Sequence, residues 1–370
     1  MSTTKQTALH AEHERLGASF TDFGGWDMPL KYGSELAEHR AVRDAAGLFD
    51  LSHMGEIRVA GPDAATFLNT ALVGDLGAIA VGRAKYSLIC APDGGIIDDL
   101  ISYRLAQDVY LVVPNAGNSE TVAAEFAERA AGFDVEISDQ SADMSLIAVQ
   151  GPNAVAILHA LVADEQRALV SDMKYYSAAQ AAVGGFPVLL ARTGYTGEDG
   201  FELYLPNDEA PGLWRALIEA GEPHGLIPAG LASRDSLRLE AGMPLYGNEL
   251  GLDVTPFEAG LGGVVSLAKE ERFTGRAALE ARREAGPETV LVGLRGAGRR
   301  AARAGYAVLA GGRVVGRVTS GQPSPTLGYP IAIAYVEPAC AEAGTPLEVD
   351  LRGKAEPFEV VSPPFYRRAR

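Results

Sequence analysis

The pair Asp98-Asp99 stands inside Gly94-Gly95-Ile96-Ile97-Asp98-Asp99-Leu100-Ile101, a segment that otherwise has the composition of a buried strand. Side chains alternate faces along a strand, so the two carboxylates point in opposite directions. Asp99 shares its face with Ile97, Ile101 and Tyr103. A carboxylate among such neighbours is desolvated unless something pairs with it, and that is the setting in which carboxylates acquire acid–base chemistry. The ordinary alternative for an isolated Asp-Asp pair is an edge-strand or salt-bridged aspartate.

A second run, Thr193-Gly194-Tyr195-Thr196-Gly197-Glu198-Asp199-Gly200-Phe201-Glu202-Leu203-Tyr204, places three glycines around one tyrosine. Such a loop is tight, and something approaches its backbone closely. In the strand that follows, Phe201, Leu203 and Leu205 share one face, and Glu202 and Tyr204 the other. Read alone, Glu202 is a carboxylate on a solvent face. Beside a glycine-rich loop it is also placed to accept two hydrogens from a flat amino-heterocycle. A third run, Gly230 to Gly247, reads as a helix ended by Gly242 and Pro244. Leu231, Arg234, Leu237, Arg238 and Ala241 fall on one face at i, i+3, i+4 spacing. Two guanidiniums on an apolar stripe need carboxylate or ligand partners, and ion pairs with Glu240 or Asp235 are the plainer choice.

Other elements position these runs. Asp93-Gly94-Gly95 is a turn that makes a hairpin of Tyr86-Ser87-Leu88-Ile89-Cys90 and the Asp98-Asp99 strand. A helix is predicted from Gly33 to Ala46 with Gly47 as its stop, another from Asp63 as cap through Leu72, and others over Ser119–Ala131 and Ala154–Leu161. Strands are predicted at Glu56–Val59, Tyr110–Val113, Val135–Ile137 and Ser145–Gln150. Strands alternate with helices, but the hairpins argue for antiparallel or mixed sheets. After a linker at Arg282–Glu288, the texture from Val290 onward is short strands between Gly/Pro turns, a small all-β barrel or sandwich.

Composition sets the outer bounds. The chain has 370 residues, 47% hydrophobic and 22% charged, enough for two or three domains. No window approaches the roughly 18 uninterrupted apolar residues of a membrane span, so no membrane association is expected. The segment Met1 to Gln6 is polar and lacks the apolar region of a secretory signal, so a cytoplasmic location is expected. Cys90 and Cys340 stand apart from any metal-ligand spacing, and the six histidines form no His-x-x-x-His pair; two reduced thiols and no metal are expected. A net charge of −16 argues against nucleic acid, since the basic clusters Arg299-Arg300-Arg303 and Arg367-Arg368-Arg370 are small. No glycine pattern supports a nucleotide cradle, and no Gly-x-Ser-x-Gly elbow is present. No repeat of 20–50 residues is visible.

Taken together, the runs Gly25-Trp26-Asp27-Met28-Pro29, Phe49-Asp50-Leu51-Ser52-His53-Met54, Gly94 to Leu100 and Gln150-Gly151-Pro152-Asn153-Ala154 resemble the T-protein of the glycine cleavage system. So do Gly194 to Glu198, Ala232 to Gly242, and Val318-Thr319-Ser320-Gly321 with Ser324-Pro325-Thr326-Leu327-Gly328. Each is weak alone; seven in order over nearly the whole chain are specific. The resemblance implies an α+β fold in three parts around a central folate pocket. Two intertwined α+β subdomains with mixed or antiparallel sheets, residues 1–50 with 141–250 and 51–140 with 251–285, precede a C-terminal β-barrel at 286–370.

The resemblance implies an aminomethyltransferase that takes the aminomethyl group from lipoylated H-protein, releases ammonia and forms 5,10-methylenetetrahydrofolate from tetrahydrofolate. By position, Asp99 matches the family's functional aspartate at the reacting folate nitrogen, leaving Asp98 structural. Glu202 matches the pterin-binding carboxylate and Arg234 the pterin-side arginine. Tyr86, Tyr195, Met54 and Asn115 match residues lining the pocket, and Arg367 matches a C-terminal arginine that closes it. Two places depart from the family pattern. Gly263 stands where a Trp is usual, so one pocket wall is lost or supplied elsewhere, and Gly296 to Ala304 is Arg- and Ala-rich, a variable surface or part of the H-protein landing site. Two other readings use the same scaffold: a folate-dependent demethylase of a small methylated substrate, and a non-catalytic folate-binding assembly factor. The near-intact Tyr-Thr-Gly-Glu and Arg-Asp-Ser-Leu-Arg runs, with Asp99, favour the enzyme.

Overall fold

The computed structural model describes residues 4–368, and they divide into two compact units. The first runs through Leu68 and continues over Leu76–Tyr86 and Leu100–Asp235. Its larger sheet has six strands in the order Ala178–Val183, Phe186–Ala191, Gly200–Pro206, Met144–Gln150, Ala46–Asp50 and Leu226–Pro228. All neighbours are antiparallel except the last pair, which is parallel. The apolar core that this sheet shares with the helices Ala154–Leu161 and Ala210–Gly221 gathers Ile147, Val149, Ile157, Phe201, Leu203, Leu213, Trp214 and Leu217.

A second sheet has five strands in the order Ala84–Cys90, Ile96–Ala106, Val109–Pro114, Ile57–Ala60 and Glu136–Asp139. The helices Ala64–Ala71 and Ser119–Arg129 contribute Phe67 and Phe126, which meet edge to face at 5.5 Å. The hairpin arms Ser87–Asp99 of this sheet belong to the second unit, with Asn69–Asp75 and the chain from Ser236 onward. The hairpin turn is the one read from sequence: Gly94 takes φ of 91°, and Asp93 Oδ1 accepts from the Gly95 amide at 3.1 Å. Gly95 is glycine because a β-carbon there would come within 2.1 Å of the Leu252 carbonyl oxygen. The Ile96 amide is shared by the carbonyls of Gly251 and Val254, so the segment 251–254 clamps the base of the Asp98-Asp99 strand.

The second unit also holds a closed six-stranded barrel, in the order Val290–Gly296, Pro330–Val336, Arg313–Pro323, Ala307–Ala310, Pro346–Asp350 and Ala355–Val361. Pairing of Gly293 with Val361 closes it. Val292, Leu294, Val308, Val318, Ala334, Val349, Phe358 and Val360 fill its interior. The α+β class and the C-terminal barrel are those expected. Cys90 and Cys340 are buried, and neither is in a disulfide among the described residues.

Two local expectations are corrected. The helix predicted to end at Gly47 spans Glu35–Asp44, capped by Ser34 Oγ accepting from the Ala37 amide at 3.3 Å. Gly47 lies in the wholly buried strand Ala46–Asp50. It is glycine there because a β-carbon would come within 2.4 Å of Val42 Cγ2. The stretch read as a linker begins inside the helix Arg276–Ala285, whose buried Leu279 anchors an otherwise charged surface; Gly286, at φ of 77°, ends it.

Candidate active site

Glu202 lies mid-strand in Gly200–Pro206, between Ala191 and Ala148 on the neighbouring strands. It is 8% exposed, not on a solvent face, because both faces of this strand are covered. Its Oε2 accepts from Thr193 Oγ1 at 2.5 Å, the Tyr103 hydroxyl at 3.3 Å and the Tyr204 hydroxyl at 3.5 Å. No donor among the described residues meets Oε1. Tyr103 and Thr193 are themselves 2.9 Å apart at their hydroxyls. Burial pushes both phenols upward, and the Glu202 charge adds to the effect on each, so they stay protonated donors. The result is a carboxylate with one oxygen fixed by three hydroxyls and the other available.

The glycines of the preceding loop answer to the chain itself. A β-carbon on Gly194 or Gly200 would meet the Gln150 side chain at 2.0 or 2.4 Å. Gln150 Nε2 donates to the Thr193 carbonyl at 3.1 Å, and its Oε1 accepts from Thr196 Oγ1 at 2.9 Å. Arg43 secures the loop from the far side, donating to the Thr196 carbonyl and to Glu198, both at 2.8 Å. The close approach read from the sequence is therefore a structural clamp that fixes Thr193 and, through it, Glu202.

Arg234, in the helix Leu231–Glu240, lays its guanidinium 4.7 Å from the centre of the Tyr195 ring, within cation–π range. Burial lowers the Arg234 pKa, and the fields of Tyr195 and Glu202 oppose that. Arg238, one turn on, is spent internally. It donates to Glu249 at 2.9 Å, to Ser320 Oγ at 2.7 Å and to the Met243 carbonyl at 3.1 Å. Of the two guanidiniums on the stripe, only Arg234 is drawn toward Glu202.

His53 belongs to the same neighbourhood. It is 3% exposed, and its Nδ1 has no partner among the described residues. Burial and then the Arg234 charge lower its pKa to about 4 against the pull of Asp50, so the ring is neutral at physiological pH. Glu56, whose field reaches Tyr204, is fully buried with neither oxygen hydrogen-bonded. Burial, and next the Asp139 charge, raise its pKa well above the carboxylate range.

Asp98 is fully buried and Asp99 half-buried in Ile96–Ala106, consistent with opposite faces for the pair. Tyr86, on Ala84–Cys90, is half-buried, as are Met54, whose amide donates to the Leu51 carbonyl, and Asn115, at the mouth of the turn Ala116–Asn118. Arg367 is exposed beyond the last barrel strand. Of the residues singled out from sequence, Glu202, Arg234 and Tyr195 are drawn into one electrostatic cluster in the first unit, where Tyr86, Met54 and Asn115 also lie. Asp99 and Arg367 belong to the second unit.

Residues 9–269 match the GCVT N-terminal domain, and residues 290–367 match the glycine cleavage T-protein C-terminal barrel domain. The chain belongs to the glycine cleavage T-protein family. Aminomethyltransferases of Corynebacterium aurimucosum and Streptomyces coelicolor are 57% and 58% identical to it over 369 and 376 residues, with complete coverage of both chains. The aminomethyltransferase of Moorella thermoacetica is 47% identical over 370 residues, also with complete coverage. Among solved structures, glycine cleavage system aminomethyltransferase T from Bartonella henselae superposes with a TM-score of 0.90 at 38% identity, covering 98% of each chain. As a T-protein of this family, the chain is an aminomethyltransferase of the glycine cleavage system.

Sequence reasoning passed over four residues of the T-protein's cluster. Tyr204 was visible as the same-face neighbour of Glu202, and Tyr103 as that of Asp99, but nothing local joined the two strands that bring their hydroxyls within 3.3 Å of each other. Thr193 carried no signal beyond preceding Gly194. His53 stands out only as part of a motif; its neutral ring follows from burial beside Arg234, and neither that nor its unpartnered Nδ1 is encoded by a local pattern.

Proposed function

We propose that this aminomethyltransferase takes the aminomethyl group from the lipoyl arm of H-protein in the cytoplasm, releases ammonia and delivers the one-carbon unit to tetrahydrofolate as 5,10-methylenetetrahydrofolate. The observation that carries this reading is the half-engaged carboxylate of Glu202 beside the Arg234–Tyr195 pair. A reduced pterin presents an amino group and a ring N–H side by side, and a fixed carboxylate with a free oxygen suits such an edge. Arg234 would hold the pterin side of the ligand, Tyr195 and Tyr86 would offer aromatic walls, and Met54 and Asn115 would line the pocket.

In the transfer, the carbon–nitrogen and carbon–sulfur bonds of the S–CH2–NH2 group break. Bonds from that carbon to folate N5 and N10 form, and the two protons displaced from those nitrogens leave with ammonia and the thiol. Positioning the nucleophilic nitrogen is the main task. Asp99 is assigned to that nitrogen, stabilising its positive charge as the bond forms or accepting its proton. The test is ammonia release from aminomethylated H-protein with and without tetrahydrofolate. Release that rises with folate and yields methylenetetrahydrofolate is expected. Tight folate binding without release would sink this reading in favour of a different one-carbon donor.

A further inference from the structure

Two non-glycine residues among those described take positive φ, Arg352 at 61° and Tyr176 at 60°. Arg352 sits in the exposed turn between the barrel strands Pro346–Asp350 and Ala355–Val361, where such backbone is commonplace. Tyr176 is different. Left-handed backbone disfavours any side chain with a β-carbon and a bulky aromatic most of all; glycine or asparagine would occupy it at less cost. The chain nevertheless holds a tyrosine there by force of its surroundings. The Tyr176 amide donates to the Arg192 carbonyl at 3.0 Å, and its carbonyl accepts from the Ala84 amide at 2.9 Å. The next residues extend the clamp. Arg83 donates to Ser177 Oγ, and the Ala178 amide donates to the Gly82 carbonyl at 2.9 Å.

The two anchors matter for where the ring stands. Ala84 lies two residues before Tyr86, on the same strand face, and Arg192 lies three residues before Tyr195. Tyr176 is therefore pinned between the segments that carry the two tyrosines assigned to the walls of the folate site. Its ring is half-buried and meets Tyr175 edge-on at 4.9 Å. Its charge is the least of the influences that raise the phenol of Tyr103, which bonds Glu202. Backbone strain that the surroundings over-determine is characteristic of ligand clamps. Nothing in the backbone bonding itself needs a tyrosine, because glycine could make the same amide and carbonyl bonds.

We propose that Tyr176 is a further ligand-contacting residue of the folate site, its ring stacking on a flat aromatic part of the bound folate, the pterin or the aminobenzoyl group. This rests on the folate reading above. The test compares Tyr176→Gly, Tyr176→Ala and Tyr176→Phe in the full chain by thermal melting, calorimetric binding of tetrahydrofolate, and KM for aminomethylated H-protein. Glycine and alanine both remove the ring, but only alanine keeps the strain, so the glycine variant should melt higher than the alanine variant. Both should bind folate about tenfold more weakly, by the same factor, with the carrier KM unmoved, and phenylalanine should restore the affinity. Wild-type affinity in the glycine or alanine variant would overturn the proposal. So would an affinity that follows melting temperature, because the loss would then belong to the fold. A wild-type protein that binds no folate would overturn the underlying reading instead.

Discussion

The proposed function gives the carboxylates of Glu202 and Asp99 different work, and substitutions should separate them. Glu202→Ala removes the charged acceptor proposed for the ligand and takes a shared acceptor from three hydroxyls. Loss of hydrogen bonds to a charged group predicts about 1.5–3 kcal/mol weaker folate binding by calorimetry; unchanged affinity would return Glu202 to a structural role. Asp99→Asn keeps the shape of a half-buried side chain, so it should fold normally and bind folate nearly as well, while single-turnover release of ammonia slows by about 100-fold or more. Wild-type turnover would remove Asp99 from the chemistry. Glu56 makes a prediction about stability. Its native pKa is raised, so the folded protein holds a proton that the unfolded chain gives up above about pH 4.3. Stability therefore falls as pH rises from that value toward the native one, by about 1.4 kcal/mol per pH unit over the window. Glu56→Gln should melt close to the wild type at pH 4 and above it at pH 7; equal melting curves at pH 7 would mean that the carboxyl titrates normally.

The helix Leu231–Glu240 shows how one element serves two ends. Its first turns present Arg234 to the Tyr195 ring, whereas its last turn is tied to Glu249, to the strand Arg313–Pro323 and to the turn that follows that strand. Arg238 meets Glu249 and Ser320, and Glu240 accepts from Ser324 Oγ at 2.5 Å, Thr326 Oγ1 at 2.8 Å and the Thr326 amide at 3.0 Å. Arg238 is 1% exposed and leaves Glu249 buried without a counter-charge if removed. Arg238→Ala should cost about 3–5 kcal/mol in chemical denaturation, while Arg234→Ala should spend most of its effect on folate affinity; equal stability losses would contradict this division. The stripe carrying both arginines was legible because helical spacing is local. Their separate fates were not, since Glu249, Ser320 and Tyr195 are distant in sequence. The same holds for strands. The Asp93 hairpin and the barrel announce themselves through turns and alternation. Ala46–Asp50 does not, because a short strand buried on both faces has no periodicity to read and its Gly47 imitates a helix stop. Glu202 was found and its surroundings misjudged for a related reason: alternation reports which side chains share a face, not what covers that face.

Across the whole chain, charge is unevenly shared. Residues 290–370 carry 11 Lys and Arg against 6 Asp and Glu, whereas the preceding 289 residues carry 21 against 42. Arg299, Arg300 and Arg303 stand exposed on one barrel loop. An acidic protein partner would be repelled by most of this molecule and drawn to the barrel. With an acidic H-protein as that partner, KM for the aminomethylated carrier should climb several-fold as salt is raised from about 0.1 M to 1 M, where the screening length falls from about 10 Å to 3 Å. Folate affinity should hold. A salt-independent carrier KM would show that docking does not use these charges.

The order of strands in the six-stranded sheet has a consequence during synthesis. Ala46–Asp50 lies between Met144–Gln150 and Leu226–Pro228, and both neighbours come later in the chain. As the polypeptide leaves the ribosome, the apolar Leu48-Phe49 pair emerges with neither flanking strand yet made. At about 5–20 residues per second, the first neighbour is roughly 5–20 s behind, long compared with the microseconds of local collapse. The nascent chain must keep that sticky segment from wrong partners until more than half of the protein exists, a task that falls to the translation machinery and its attendant chaperones.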